Sequence, residues 1–279
     1  MIELNETTLR AFRCHLTERE CSRATVTKYM AAARRLADFC GGMITDKSTL
    51  VEFKSQLVAA GYAPASVNGM IAAMNKLLDF VGYLEWRLRA LKVQRRNFAA
   101  PERELTQKEY ENLVNTARLG GDERLALLVQ TVCATGVRVS EVRGITLECL
   151  REGKAEIRSK GKIRLIPLPG KLCRALSKFC KKRGITGGPI FVTQSGNPLD
   201  RSNIWKMMKR LARLAKVALE KVFPHNLRHL FARTYYKKYK DIVRLGDILG
   251  HSNLETTRIY TARSFYEQRH QMEALNLLL

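Results

Sequence analysis

Two arginines, two histidines, a lysine and a tyrosine in the second half of the chain are spaced so that they could surround one phosphate. They are Arg138 in ATGVRVSE, Lys160 in EIRSKGKIRLIPLP, His225 and Arg228 in FPHNLRHLFA, His251 after the Leu-Gly stop of RLGDILG, and Tyr260 in ETTRIYT. In-line attack on a phosphodiester builds negative charge on the non-bridging oxygens, which fixed guanidinium groups are suited to stabilise. A tyrosine is a weak nucleophile at its free pKa and needs surrounding cations and a base. This set supplies both, and no acidic cluster accompanies it to hold a metal. The residues therefore predict phosphoryl transfer through a tyrosine nucleophile, with no metal and no cofactor.

Each residue also has a plainer reading. Either arginine alone could be a surface salt-bridge residue. Their context argues otherwise, since Arg138 follows a helix break at Gly136 and Arg228 lies one turn from His225, on the same helix face. Lys160, at a hairpin tip, could protonate a leaving 5′-oxygen as a general acid must, or could simply be solvated, and Lys162 competes for the role. His225 and His229 have the i, i+4 spacing of a zinc helix, but Asn226 stands where that motif needs glutamate. That leaves His229 to packing. His225 is placed to take the tyrosine proton or bond the phosphate, and His251 to bond a phosphate oxygen from the next turn. Of the nine tyrosines, Tyr235, Tyr236 and Tyr239 share one basic helix, while Tyr260 alone follows His251 closely after a turn.

Positioning such a set takes a sizeable scaffold, and 279 residues with 46% hydrophobic content allow two domains with separate cores. Lysine and arginine outnumber acidic residues 49 to 26, a net charge of +23, which implies a polyanionic partner. Residues 1–100 hold 15 basic and 9 acidic side chains, leaving 34 and 17 for the rest, so both parts are basic and a clamp using both is expected. Residues 1–98 read as a bundle of four helices. TVTKYMAAARRLADFC has helical periodicity, a capping box at Thr49 and Glu52 opens the next helix, and Pro64 starts the fourth. The stretch around 99–104, with Pro101, reads as a linker. A catalytic domain over 105–279 opens at the Thr106–Glu109 capping box. It continues through helices at about 107–118 and 122–134, a hairpin around Lys160-Gly161 and a short strand in PIFVTQSG. Helices then run at about 201–217, 225–238, 241–249 and 253–261 before a terminal tail. The fold class is thus mainly α with a small β-sheet. Seven scattered cysteines without a C-x-x-C read as reduced thiols. No signal peptide or membrane span is visible, so a cytoplasmic protein is expected, nucleoid-associated when bound.

At these residues the chain resembles the tyrosine recombinase family, the phage integrases and Xer-type proteins. The matching pieces are ATGVRVSE, SKGKIRLIPL, HNLRHLFA and LGHSNLETTRIYT, in that order. The resemblance implies a core-binding domain of SAM-like helical type followed by the catalytic domain. It implies that Tyr260 attacks the scissile phosphate to give a 3′-phosphotyrosyl link and a free 5′-hydroxyl. Arg138, Arg228 and His251 would stabilise the transition state, with Lys160 as acid and His225 as acid/base. Glu141 matches the family's supporting acidic position. Four protomers would exchange strands of double-stranded DNA at inverted-repeat core sites through a Holliday junction, in integration or excision of a mobile element or in Xer-type resolution. An accessory protein or a second recombinase could take part. The apolar tail, with Met272, Ala274, Leu275 and Leu278, resembles the segment that family members donate to a neighbouring protomer, or packs on its own domain. With no arm-binding domain expected ahead of the bundle, the layout is Xer-like. Two alternatives share part of the pattern: a type IB topoisomerase, with the same chemistry but no pairing of sites, and a helical DNA-binding regulator with an inactive site.

Overall fold

The computed structural model describes residues 1–92, 103–159, 162–251, 253–260, 269 and 272–275. The chain divides into two compact units, Met1–Arg95 and Arg96–Leu279.

Four helices dominate the first unit: α1 (Glu6–Glu18), α2 (Arg23–Phe39), α3 (Lys47–Ala59) and α4 (Pro64–Val81). Their starts are set by side-chain oxygens that accept otherwise unpaired first-turn N–H groups: Asn5 from Thr8, Ser22 from Thr25, and Asp46 from Thr49. The cap of α3 is therefore Asp46, and Thr49, expected to open it, is its third residue. Asp46 wins because its carboxylate accepts from the Thr49 amide and from the Ser48 and Thr49 hydroxyls. Phe12, Leu16, Leu36, Leu50, Phe53, Leu57, Val67 and Ile71 fill the core between the helices. Two strands too short to leave a period-two signal, β1 (Ile2–Glu3) and β2 (Met43–Ile44), pair antiparallel at its edge. Beyond α4, residues 88–91 are pinned back onto that helix. Asn75 exchanges two hydrogen bonds with the backbone of Leu88, and Asn68, two turns earlier, does the same with Leu91.

In the second unit α5 (Gln107–Leu119) begins with the expected capping box, Thr106 and Glu109 each bonding the other's backbone N–H. Helix α6 (Glu123–Thr135) is apolar nearly all round. Leu125 through Val129 and Val132 are all buried, because α5, α8 (Gly170–Arg183) and α10 (Pro224–Tyr239) pack around it. After a 3-10 turn (Val139–Gly144) and the short α7 (Leu147–Glu152), β3 (Lys154–Ser159) and β4 (Lys162–Pro167) form the predicted antiparallel hairpin. The segment read as a third strand makes only isolated bridges, Thr146 to Pro189 and Val192 to Pro198. Two of those four positions are prolines, which have no N–H to donate to a ladder. Helices α9 (Arg201–Leu214) and α11 (Ile242–Leu249) complete the unit, followed by 3-10 turns at Leu254–Thr256 and Arg258–Tyr260 where one longer helix was expected. Among the described residues no helix is long and apolar enough to cross a membrane.

Candidate active site

Arg138, Arg228, His251 and Tyr260 come together between the ends of α6, α10 and α11. Helix α6 stops at Gly136, whose φ of +65° suits glycine, and a Cβ there would meet the Phe231 ring at 2.5 Å. The break frees the Gly136 carbonyl to accept from Arg228 Nη1 at 2.5 Å. Arg228 is 1% exposed, and its other terminal nitrogen donates to the Leu249 carbonyl at 2.6 Å. Burial, with Arg138 and Arg164 nearby, lowers its pKa to about 10.

The same Nη2 lies 3.1 Å from His251 Nε2. A guanidinium can only donate, so Nε2 is the acceptor and the ring proton sits on Nδ1, 2.9 Å from Thr257 Oγ1. Burial and then Arg228 depress the His251 pKa to about 4, consistent with that neutral ring. Thr257, fully buried, also accepts the Tyr260 amide on its carbonyl. The histidine and the tyrosine are thus fixed through one residue, and their rings lie near-parallel with centroids 6.3 Å apart. Tyr260 is 4% exposed, and burial raises its pKa while Arg228 pulls it down. The phenol is protonated at neutral pH, so nucleophilic attack requires a base.

Arg138 lies nearer the surface. Its backbone N–H and its Nη1 both donate to Glu141, at 2.8 and 2.9 Å, and its Nη2 donates to the Gly250 carbonyl at 3.2 Å. Glu141 is 6% exposed and buried because it also takes Arg164 Nη2 at 2.5 Å. His225 sits at the exposed edge of the site, its pKa lowered by burial of the ring and by Arg228. Lys160, at the hairpin turn, lies outside the described residues, as do Leu278 and most of the terminal segment.

Three participants were missed from sequence. His229, left there to packing, stands edge-on to both His225 (4.4 Å between centroids) and Tyr260 (5.1 Å). Its Nε2 is buried without a hydrogen-bond partner among the described residues, and burial lowers its pKa to about 4. Thr257 carried no signal, because one threonine before a tyrosine is ordinary. Arg164 carried one: on β4 it shares the inward face with buried Ile166 while Ile163 and Leu165 point out to solvent. On the rim, Arg201, Trp205 and Lys209 lie along one face of α9 and line a cleft that reaches Phe223 and His225. Lys209 Nζ stands 5.4 Å from the centre of the half-exposed Trp205 ring.

A buried tyrosine held beside two arginines and a neutral histidine, with a carboxylate orienting one arginine, defines a site built for phosphoryl transfer. Residues 103–267, more than half of the chain, match the phage integrase family, so the chain belongs to that family of tyrosine-type site-specific recombinases. It is 29% identical over 238 residues to the tyrosine recombinase XerA of Pyrococcus furiosus, covering 82% of this chain and 80% of that protein. It is likewise 29% identical over 226 residues to the tyrosine recombinase XerD of Vibrio cholerae, covering 76% and 75%. The integrase of the transposon Tn1549, solved in complex with transposon right-end DNA, has a similar fold. Its TM-score is 0.74 at 18% identity, over 96% of this chain and 99% of that one. The XerH site-specific recombinase bound to palindromic difH gives 0.71 at 21%, over 93% and 81%.

Proposed function

We propose that Tyr260 cleaves double-stranded DNA at inverted-repeat core sites. Its oxygen forms a bond to the scissile phosphorus as the bond to the 5′-oxygen breaks, leaving a 3′-phosphotyrosyl link. His225 takes the phenol proton, and Lys160 donates one to the departing 5′-oxygen. Arg138, Arg228 and His251 hold the non-bridging oxygens as charge develops on them, with Glu141 fixing Arg138. Attack by a 5′-hydroxyl reverses the step. The phosphotyrosine conserves the bond energy, so neither ATP nor a metal is consumed. Two such rounds by four protomers pass through a Holliday junction, with the terminal segment from Glu267 exchanged between neighbours. Residues 1–98 act as the core-binding domain, 99–104 as linker and 105–279 as the catalytic domain. The α9 face with Arg201, Trp205 and Lys209 gives the duplex a basic, aromatic surface beside His225.

The observation that carries this reading is the Arg228–His251–Thr257–Tyr260 chain, which gathers the cation, the neutral imidazole and the nucleophile around one point. Incubating the protein with nicked DNA containing a candidate core site tests it. A covalent adduct that survives denaturation, and that Tyr260→Phe abolishes, is expected. Tight binding with no adduct on any of a panel of core sites would favour the DNA-binding regulator. Relaxation of supercoiled plasmid lacking any core site would favour the topoisomerase.

A further inference from the structure

The turn that ends α11 presents the carbonyls of Ile248, Leu249 and Gly250, which take no backbone donor among the described residues. Each is taken by a different arginine from a different element. Arg164 Nη1, from β4, donates to Ile248 at 2.8 Å, Arg228 Nη2, from α10, to Leu249 at 2.6 Å, and Arg138 Nη2, from the turn after α6, to Gly250 at 3.2 Å. Three like charges this close repel one another. What gathers them is the negative end of the helix together with the single carboxylate of Glu141.

Glu141 divides its oxygens between two of the three, Oε1 to Arg138 Nη1 and Oε2 to Arg164 Nη2. Arg164 is therefore a fork, with one tine on the carboxylate that orients Arg138 and the other on the turn that leads into His251. Its stem lies on Gly250, where a Cβ would come within 2.7 Å of Arg164 Cδ, and the glycine's φ of +64° favours that residue type. Its two terminal nitrogens bridge the Glu141 carboxylate and the Ile248 carbonyl, and the side chain is 13% exposed.

We infer that Arg164 is a positioning residue for strand cleavage, locking Arg138, through Glu141, to the Ile248–His251 turn so that the phosphate-binding groups share one frame. The inference rests on the function proposed above. It also explains why β4 points an arginine inward while leaving Ile163 and Leu165 exposed.

The test compares wild type, Arg164→Ala and Arg164→Lys in single-turnover adduct formation at saturating nicked DNA, with affinity titrated in parallel. Loss of a group that orients a site residue slows chemistry by about 10- to 100-fold, so Arg164→Ala is expected to fall in that range with its DNA affinity within about twofold of wild type. Lysine keeps the charge but cannot span both acceptors, so Arg164→Lys should recover only part of the loss. Added guanidinium chloride should speed Arg164→Ala more than an equal concentration of sodium chloride does. Amide hydrogen exchange, measured without DNA, reads the anchor independently of any chemistry. Gly250 and His251 should exchange about tenfold faster in Arg164→Ala, the loss expected for one hydrogen bond, while the α6 amides hold their rates. An Arg164→Ala variant with wild-type cleavage and exchange overturns the inference. So does one whose cleavage, affinity and α6 exchange all decline together, since that describes a structural residue only. If wild type forms no adduct on any site, the proposed function fails, and the exchange at Gly250 and His251 still decides whether Arg164 is the anchor.

Discussion

Arg228→Met removes a fully buried cation and replaces it with an apolar side chain of comparable length. Burial and two neighbouring arginines depress the Arg228 pKa to about 10. A depression of that size means the charge itself disfavours the folded state by about 3 kcal/mol at neutral pH. Against this stand three hydrogen bonds, to Gly136, Leu249 and His251. At about 1.5 kcal/mol for each bond to a charged group, they return between 4 and 5 kcal/mol, roughly. Substitution therefore destabilises the protein by only about 1–2 kcal/mol, a shift of a few degrees in melting temperature for a unit of this size. The catalytic loss is larger. Removing one donor from an oxyanion site costs about 3–4 kcal/mol of transition-state stabilisation, or roughly 10²- to 10³-fold in rate. Urea unfolding and single-turnover adduct formation at saturating DNA measure the two effects separately. A stability loss of about 5 kcal/mol, the range for breaking a buried pair, would show that Arg228 is a structural cation and refute the opposition of terms. Cleavage within a few-fold of wild type would refute its place at the phosphate.

Other perturbations read other parts of the site. His229 and His251 titrate at about 4 in the folded protein against an ordinary 6.5. The unfolded chain binds more protons between those values, so stability is full above about pH 6.5 and is lost as pH falls through 4; His229→Gln should flatten that slope in a melting-temperature series. Gly136→Ala places a methyl against Phe231 in a left-handed conformation, and should lower stability by about 2–4 kcal/mol and slow cleavage by displacing the carbonyl that holds Arg228. Trp205→Ala should weaken DNA binding with an unchanged salt slope, whereas Lys209→Ala should reduce that slope by about one. The reverse pattern would remove the α9 face from the DNA surface.

Much of the site was legible because its members sit at punctuation marks in the chain. Arg138 follows a glycine break, His251 follows a Leu-Gly stop, and His225 with Arg228 lies in the opening turns of a helix that begins with a proline. Chemistry-bearing residues at element ends stand out against helical periodicity. Helix starts were legible wherever a side-chain cap stood alone, as at Thr106. At α3 the expected opening at Thr49 gave way to Asp46, whose carboxylate also accepts from the Ser48 and Thr49 hydroxyls. What escaped depends on contacts distant in sequence. His229 meets Tyr260 across 31 positions. Arg164 meets Ile248 across 84, and Asn68 grips Leu91 across 23. Local pattern assigns such residues to surface or packing. The break of the 253–261 segment into two 3-10 turns follows likewise from tertiary demand, since Thr257 must face His251 while Tyr260 faces His229.

The most direct measurement is to digest the covalent complex and map the nucleotide-bearing peptide by mass spectrometry, with the DNA labelled separately on each side of the nick. Nucleotide attached to the peptide containing Tyr260, through a 3′-phosphate and with a free 5′-hydroxyl on the released strand, is the expected result. Attachment at Tyr235, Tyr236 or Tyr239, or through a 5′-phosphate, would contradict the assignment of nucleophile and polarity.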